Sequence, residues 1–210
     1  MVINPAFLPK KGLAFSSYIR YNRRAFHPEH LVKIQGHGKS KILTEEEFLL
    51  ILAAVPQKYR LFFEVIYATG GRVSEICNVR YDDIVGNTLV LRKNNTKTKE
   101  TREIPLNPEL VRRIRATQTD KPYIFMGRKG LPTTRYCIHK ILQDACNECG
   151  LVGISSHSFR RTALTEWSRN NISLRVIQKI SGHRNLNVLQ GYVDVSEEEI
   201  ASACATRWSV

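Results

Sequence analysis

Residues 89–105 read LVLRKNNTKTKETREIP. Leu89-Val90-Leu91 is a β-like run, Arg102-Glu103-Ile104-Pro105 resembles a second strand, and the polar, Lys-rich stretch Asn94 to Glu100 between them predicts a hairpin. Outward from this point the texture is helical on both sides. Upstream, Thr44-Glu45-Glu46-Glu47 has the capping-box form, a hydroxyl followed three residues later by Glu, and Phe48, Ile51, Leu52 and Val55 recur at helical spacing. A second helix is predicted from about Lys58 to Gly70-Gly71, and a short third one from Val73 to Val79. Downstream, Asn107-Pro108 caps a helix with Pro at its first position. Further helices are predicted over Tyr136 to Gly150, Ser156 through Trp167, Ser173 to Gly182 and Asn187 to Val193, with a last one capped by Ser196 and Glu199. The fold class is α+β, mostly α-helical, with one small antiparallel sheet.

The chain has 210 residues, with Lys+Arg 32 against Asp+Glu 19, a net charge of +13. A hydrophobic content of 42% and a mean hydropathy of −0.27 exclude a disordered chain and an integral membrane protein. The size suits one domain with an added arm. Residues 1–41 hold eight basic groups, Lys10, Lys11, Arg20, Arg23, Arg24, Lys33, Lys39 and Lys41, against Glu29, a net +7 in a fifth of the chain. Such an excess points to a polyanion, since each cation at a phosphate releases condensed counterions. A membrane surface is the weaker reading, because no basic amphipathic helix is sustained. Met1 opens no secretory signal pattern, and with five cysteines the expected setting is the reducing cytoplasm. Cys146-x-x-Cys149, with Cys137 and His139 nearby, supplies only one pair where zinc modules usually supply two. No metal and no cofactor is expected.

Four segments stand out together: Ala68-Thr69-Gly70-Gly71-Arg72-Val73-Ser74-Glu75, His157-Ser158-Phe159-Arg160, Ser181-Gly182-His183, and Tyr192 nine residues after His183. Lys97 lies between the first two, eight residues before Pro105. Singly each is weak; as an ordered set, over roughly Thr44 to Val195, the chain resembles the tyrosine recombinase (phage integrase) family. The resemblance implies that family's catalytic fold over residues 42–210, behind a basic arm at 1–41.

It also implies strand exchange on double-stranded DNA at a specific crossover site, in a tetramer on paired sites and a monomer or dimer off DNA. Breaking a phosphodiester passes through a crowded phosphorus centre with extra charge on its non-bridging oxygens, which planar, permanently protonated guanidinium suits best. Arg72 and Arg160 match the family's two arginines. Arg161, about 100° away on a helix, is read as a DNA-backbone or salt-bridge residue. Glu75 shares a helical face with Arg72 and either orients the basic site or makes a simple intrahelical pair. By the same resemblance His157 handles the nucleophile's proton, His183 bonds the scissile phosphate, and Lys97 protonates the departing 5′-oxygen. Tyr192 is the nucleophile, giving a 3′-phosphotyrosyl link that keeps the phosphodiester energy, so neither ATP nor a metal is required. Lys93 and Lys99 flank Lys97 and, with Lys10, Lys11, Arg20, Arg23 and Arg24, are expected to track DNA.

Most relatives carry a helical domain of roughly a hundred residues before the catalytic one, and the residues before Thr44 cannot hold it. The basic arm is expected to replace part of that grip. Other readings are a catalytically idle DNA-binding module derived from a recombinase, a nicking-closing topoisomerase and a generic basic RNA-binding protein. No catalytic residue of the pattern is missing, which disfavours the idle module. Ile200, Cys204 and Trp208 form a stripe that docks on a neighbouring protomer or on the chain's own core.

Overall fold

In the computed structural model the described residues are 40–92, 94, 100–191 and 197–205. They belong to one unit, Lys39–Val210. Of the basic arm, residues 1–39 lie outside the described residues.

The first helix, α1 (Glu45–Ala54), begins where the sequence places it. Thr44 Oγ1 accepts from the Glu47 N–H at 3.2 Å, and the Glu47 carboxylate accepts from the Thr44 N–H at 3.1 Å. Helix α2 (Gln57–Thr69) stops at Gly70, which takes the left-handed conformation (φ 56°) that a residue with a Cβ enters at a cost. The next helix, α3 (Val73–Cys77), ends two residues earlier than its sequence suggests. The carbonyl of Val79 is instead taken by the Ile124 N–H at 3.1 Å. The Asn78 and Val79 N–H groups each bond three residues back, to the Glu75 and Ile76 carbonyls at 3.2 Å, so the last turn tightens and the helix ends.

The sheet has three strands where two were expected: β1 (Ile84–Val85), β2 (Thr88–Leu91) and β3 (Arg102–Pro105), antiparallel in the order β1-β2-β3. The register pairs Ile84 with Leu89, Leu89 with Ile104 and Leu91 with Arg102. Two-residue periodicity turns Leu89 and Leu91 of β2 inward, and Arg102 and Ile104 of β3. Arg102 therefore occupies a core-facing position.

After the sheet come α4 (Pro108–Arg115), α5 (Arg135–Cys149), α6 (Ser156–Arg169), α7 (Leu174–Ser181), α8 (Leu186–Gln190) and α9 (Glu197–Ala205). Asn107 caps α4, its Oδ1 accepting from the Glu109 N–H at 2.8 Å. Helix α8 stops at Gln190, short of the expected Val193, and residues 192–196 lie outside the described residues. The main core gathers Ile51, Phe62, Phe63, Ile66, Ile76, Leu89, Leu91, Ile138, Leu142 and Phe159, all essentially solvent-free. Phe159, from the segment carrying Arg160, packs against Phe48 and Phe63 with centroids 6.2 and 5.5 Å apart. A second cluster of Leu164, Ile177 and Leu189 ties α6, α7 and α8 together. Core packing therefore sets the spacing between α6, which carries Arg160, and α7, which ends just before His183.

Cys146 is buried, and the Cys149 thiol donates to the Leu50 carbonyl at 3.6 Å. Among the described residues no group of three or more metal-ligating side chains gathers, and no helix is long and apolar enough to cross a membrane. Ile200 and Cys204 of α9 are exposed, so that stripe is not buried against the described part of its own chain. Trp208 lies outside the described residues.

Candidate active site

Arg72 is the residue before the first turn of α3, with extended backbone (φ −77°, ψ 142°) that aims its chain across the helix start. Its N–H donates to Glu75 Oε2 at 3.0 Å and its Nη1 to Glu75 Oε1 at 2.8 Å. Glu75 has no solvent exposure and receives a second guanidinium, Arg102 Nη2, at 2.6 Å on Oε2. Burial pushes the Glu75 pKa up, but Arg102 foremost, with Arg72, pulls it below the ordinary carboxylate value. Glu75 is therefore an ionised carboxylate shared by two arginines, more than an intrahelical pair.

Arg160 comes from α6, one turn after the Ser155 cap, and is buried. Its Nη1 donates to the Gly70 carbonyl and its Nη2 to the Ser181 carbonyl, both at 2.8 Å. One planar side chain thus bridges the turn two residues before Arg72 and the end of α7. Its Nη2 also lies 3.2 Å from His183 Nε2 and 3.3 Å from Nδ1. Ser181 Oγ is 2.7 Å from His183 Nδ1. Gly182 makes this possible: its left-handed backbone (φ 66°) ends α7 and turns His183 back toward Arg160. Burial, then the charges of Arg160, Arg72 and Arg102, push the His183 pKa down to about 3, with Glu75 opposing. The ring is neutral at neutral pH and offers a single N–H.

The structure thus joins four of the residues singled out in the sequence, Arg72, Glu75, Arg160 and His183, in one network. His157 stands exposed on the first turn of α6, three residues before Arg160, and its N–H donates to Ser155 Oγ at 3.2 Å. Arg161 leads away from this network; its Nη1 donates to the Ser40 carbonyl at 2.8 Å. Lys93, Lys97, Lys99 and Tyr192 lie outside the described residues, as do Lys10, Lys11, Arg20, Arg23 and Arg24. Two contributors, Arg102 in the second strand and Ser181 in the Ser181-Gly182-His183 segment, carry no role in the sequence reading. The available signal for Arg102 was its even spacing from Ile104, which sets a charge on the buried face of β3.

The sequence model described as the phage integrase family matches residues 41–199, about three quarters of the chain. The chain belongs to the phage integrase family. Within that family it is 30% identical over 176 residues to tyrosine recombinase XerA of Pyrococcus furiosus, covering 78% of this chain and 60% of that protein. It is 29% identical over 188 residues to tyrosine recombinase XerC of Halalkalibacterium halodurans, covering 78% and 61%. The chain therefore spans only about three fifths of these relatives' length. Among solved phage integrase relatives, the crystal structure of XerA recombinase superposes with a TM-score of 0.66 at 20% identity, over 97% of this chain and 79% of that one. A lambda integrase dimer bound to a COC′ core site superposes at 0.63 and 21% identity, over 86% and 55%. At such identities these superpositions establish the fold: a mostly helical phage integrase domain with a small antiparallel sheet.

Proposed function

We propose that the chain is a site-specific DNA recombinase that cleaves and rejoins DNA through a 3′-phosphotyrosyl intermediate. The observation that carries this is the buried Arg160, fixed by the Gly70 and Ser181 carbonyls against a neutral His183 and beside the Glu75-held Arg72. Fixed cations in a water-poor setting stabilise charge as it develops, without reorganising at the moment of reaction.

Tyr192 Oη attacks the scissile phosphorus and the P–O5′ bond breaks. His157 receives the phenol proton and Lys97 protonates the departing 5′-oxygen. Arg72 and Arg160 hold the non-bridging oxygens, and the His183 N–H donates to one of them. Attack by a 5′-hydroxyl on the phosphotyrosine reverses the step and seals a strand. The partner is double-stranded DNA with a specific crossover site, in the nucleoid of a prokaryotic cell. Four protomers act on paired sites; a solved relative, lambda integrase, forms a tetramer bound to a Holliday junction. The complete catalytic set in the sequence favours this over an idle DNA-binding module.

The crossover sequence is found by trapping protein-linked strands from nicked duplexes with a randomised central segment. The expected result is a covalent adduct, absent from Tyr192→Phe and reduced roughly 100-fold or more in Arg160→Ala. An adduct that survives Tyr192→Phe overturns the nucleophile, and no adduct from the unaltered chain overturns the reaction.

A further inference from the structure

We propose that Arg102 is a positioning residue that keeps Arg72 cationic toward the scissile phosphate by occupying Glu75. This rests on the recombinase reading above. A buried ion pair is weak evidence of a gain in stability, since an apolar pair of similar volume usually does as well or better. The core-facing position on β3, beside Ile104, is one where alternation calls for such an apolar residue. A different reason for the arginine is required, and its bonding partners supply it.

Arg102 has 4% of its side chain exposed. Its guanidinium meets two segments that build the site, α3 and the end of α7. Nη2 donates to Glu75 Oε2 at 2.6 Å, Nη1 donates to the Ile180 carbonyl at 3.2 Å, and the side chain lies against Gly182. A Cβ on Gly182 would fall 2.6 Å from both Cδ and Nη1 of Arg102. The residue therefore reaches Arg72 through Glu75, and His183 through the end of α7.

The charge count gives the consequence. Arg72 and Glu75 alone form a neutral pair, and a neutral pair has little attraction for a phosphate. With Arg102 sharing the same carboxylate, the three groups carry a net +1. Arg102 also takes Oε2, so that Oε1 faces Arg72 Nη1. The carboxylate is held in rotation, and Arg72 is aimed without being neutralised. The same strand, β3, receives the chain returning from Lys97, so the phosphate cradle and the hairpin share one anchor.

The test uses the full chain and the selected nicked duplex, with either a phosphodiester or a methylphosphonate at the scissile position. The methylphosphonate has a methyl group in place of one non-bridging oxygen, is uncharged and depends less on a cationic cradle. Arg102→Gln retains a donor for Glu75 without the charge. It should cut adduct formation roughly tenfold or more on the phosphodiester and less than about threefold on the methylphosphonate. Arg102→Lys should regain most of the phosphodiester rate. Folding is checked by circular dichroism. Should Arg102→Gln fail to fold, Arg102→Met carries the test, since it fills a similar volume without the charge and should produce the same substrate-dependent loss. Equal losses on both substrates, or an unchanged Arg102→Gln, overturn the proposal. No adduct from the unaltered chain overturns the recombinase reading instead.

Discussion

Glu75 is the residue on which the cationic site closes. It is solvent-free and shared by Arg72 and Arg102, so Glu75→Ala leaves Arg102 buried without its counter-charge. Removing one partner of a buried pair costs about 3–5 kcal/mol, and denaturant unfolding should register a loss of that order. The pH dependence has a definite sign. The folded-state pKa of Glu75 lies below its unfolded value, so its contribution is fully present above about pH 4.3 and is lost as pH falls through the folded value. Unfolding midpoints measured below that pH should fall more steeply for the natural protein than for Glu75→Gln. His183 sends a second signal from the same pocket. Its pKa is pushed down to about 3, so the folded state holds the ring neutral while the unfolded ring protonates near pH 6.5. Stability should therefore decline as pH drops from about 6.5 toward 3. An NMR titration of the free protein should find the His183 ring unprotonated at pH 5; a midpoint near 6.5 would contradict the buried, cationic setting. Arg72, Arg160, His183 and Glu75 were legible as motif residues. The sharing of Glu75 was not, because it requires β3 and α3 to meet, and nothing in their separate sequences encodes that encounter.

At the scale of elements, local rules carried most of the reading. Thr44, Asn107 and Ser155 are side-chain caps, and Gly70, Gly150 and Gly182 end helices in left-handed backbone. Each acts through groups within a few residues, so local sequence suffices to find it. Ser155 matters most to function, because the helix it caps presents His157 and Arg160. Its Oγ accepts from the His157 N–H while Ser158 Oγ accepts from the Ser155 N–H at 3.0 Å. Ser155→Ala should destabilise the protein by about 1 kcal/mol in chemical denaturation, and an undiminished stability would show that the cap is idle. Strand β1 escaped notice because a two-residue strand has no periodicity to read; only its pairing with β2 defines it. The short α3 is read from the sequence, but its end falls two residues before Val79, whose carbonyl is bonded by the Ile124 N–H 45 residues away in the chain.

Across the whole molecule, the net charge of +13 suits the DNA partner proposed above. The arm's net +7 is the part of that charge proposed to meet the DNA backbone. Replacing Lys10, Lys11, Arg20, Arg23 and Arg24 together by Gln should weaken duplex binding. It should also flatten the slope of log affinity against log salt by about 0.9 for each phosphate no longer neutralised. Filter binding over a salt series measures this, and an unchanged slope would remove the arm from the DNA backbone. The sequence by itself determined the helical character, the hairpin, the ordered motif set and hence the family, because caps, periodicity and spacing are properties of neighbouring residues. Only the tertiary structure decided that Arg160 lies between Gly70 and Ser181, that His183 is neutral, and that Arg102 shares Glu75 with Arg72. Those outcomes depend on burial and on charges brought close from distant segments, and both exist only once the chain has folded.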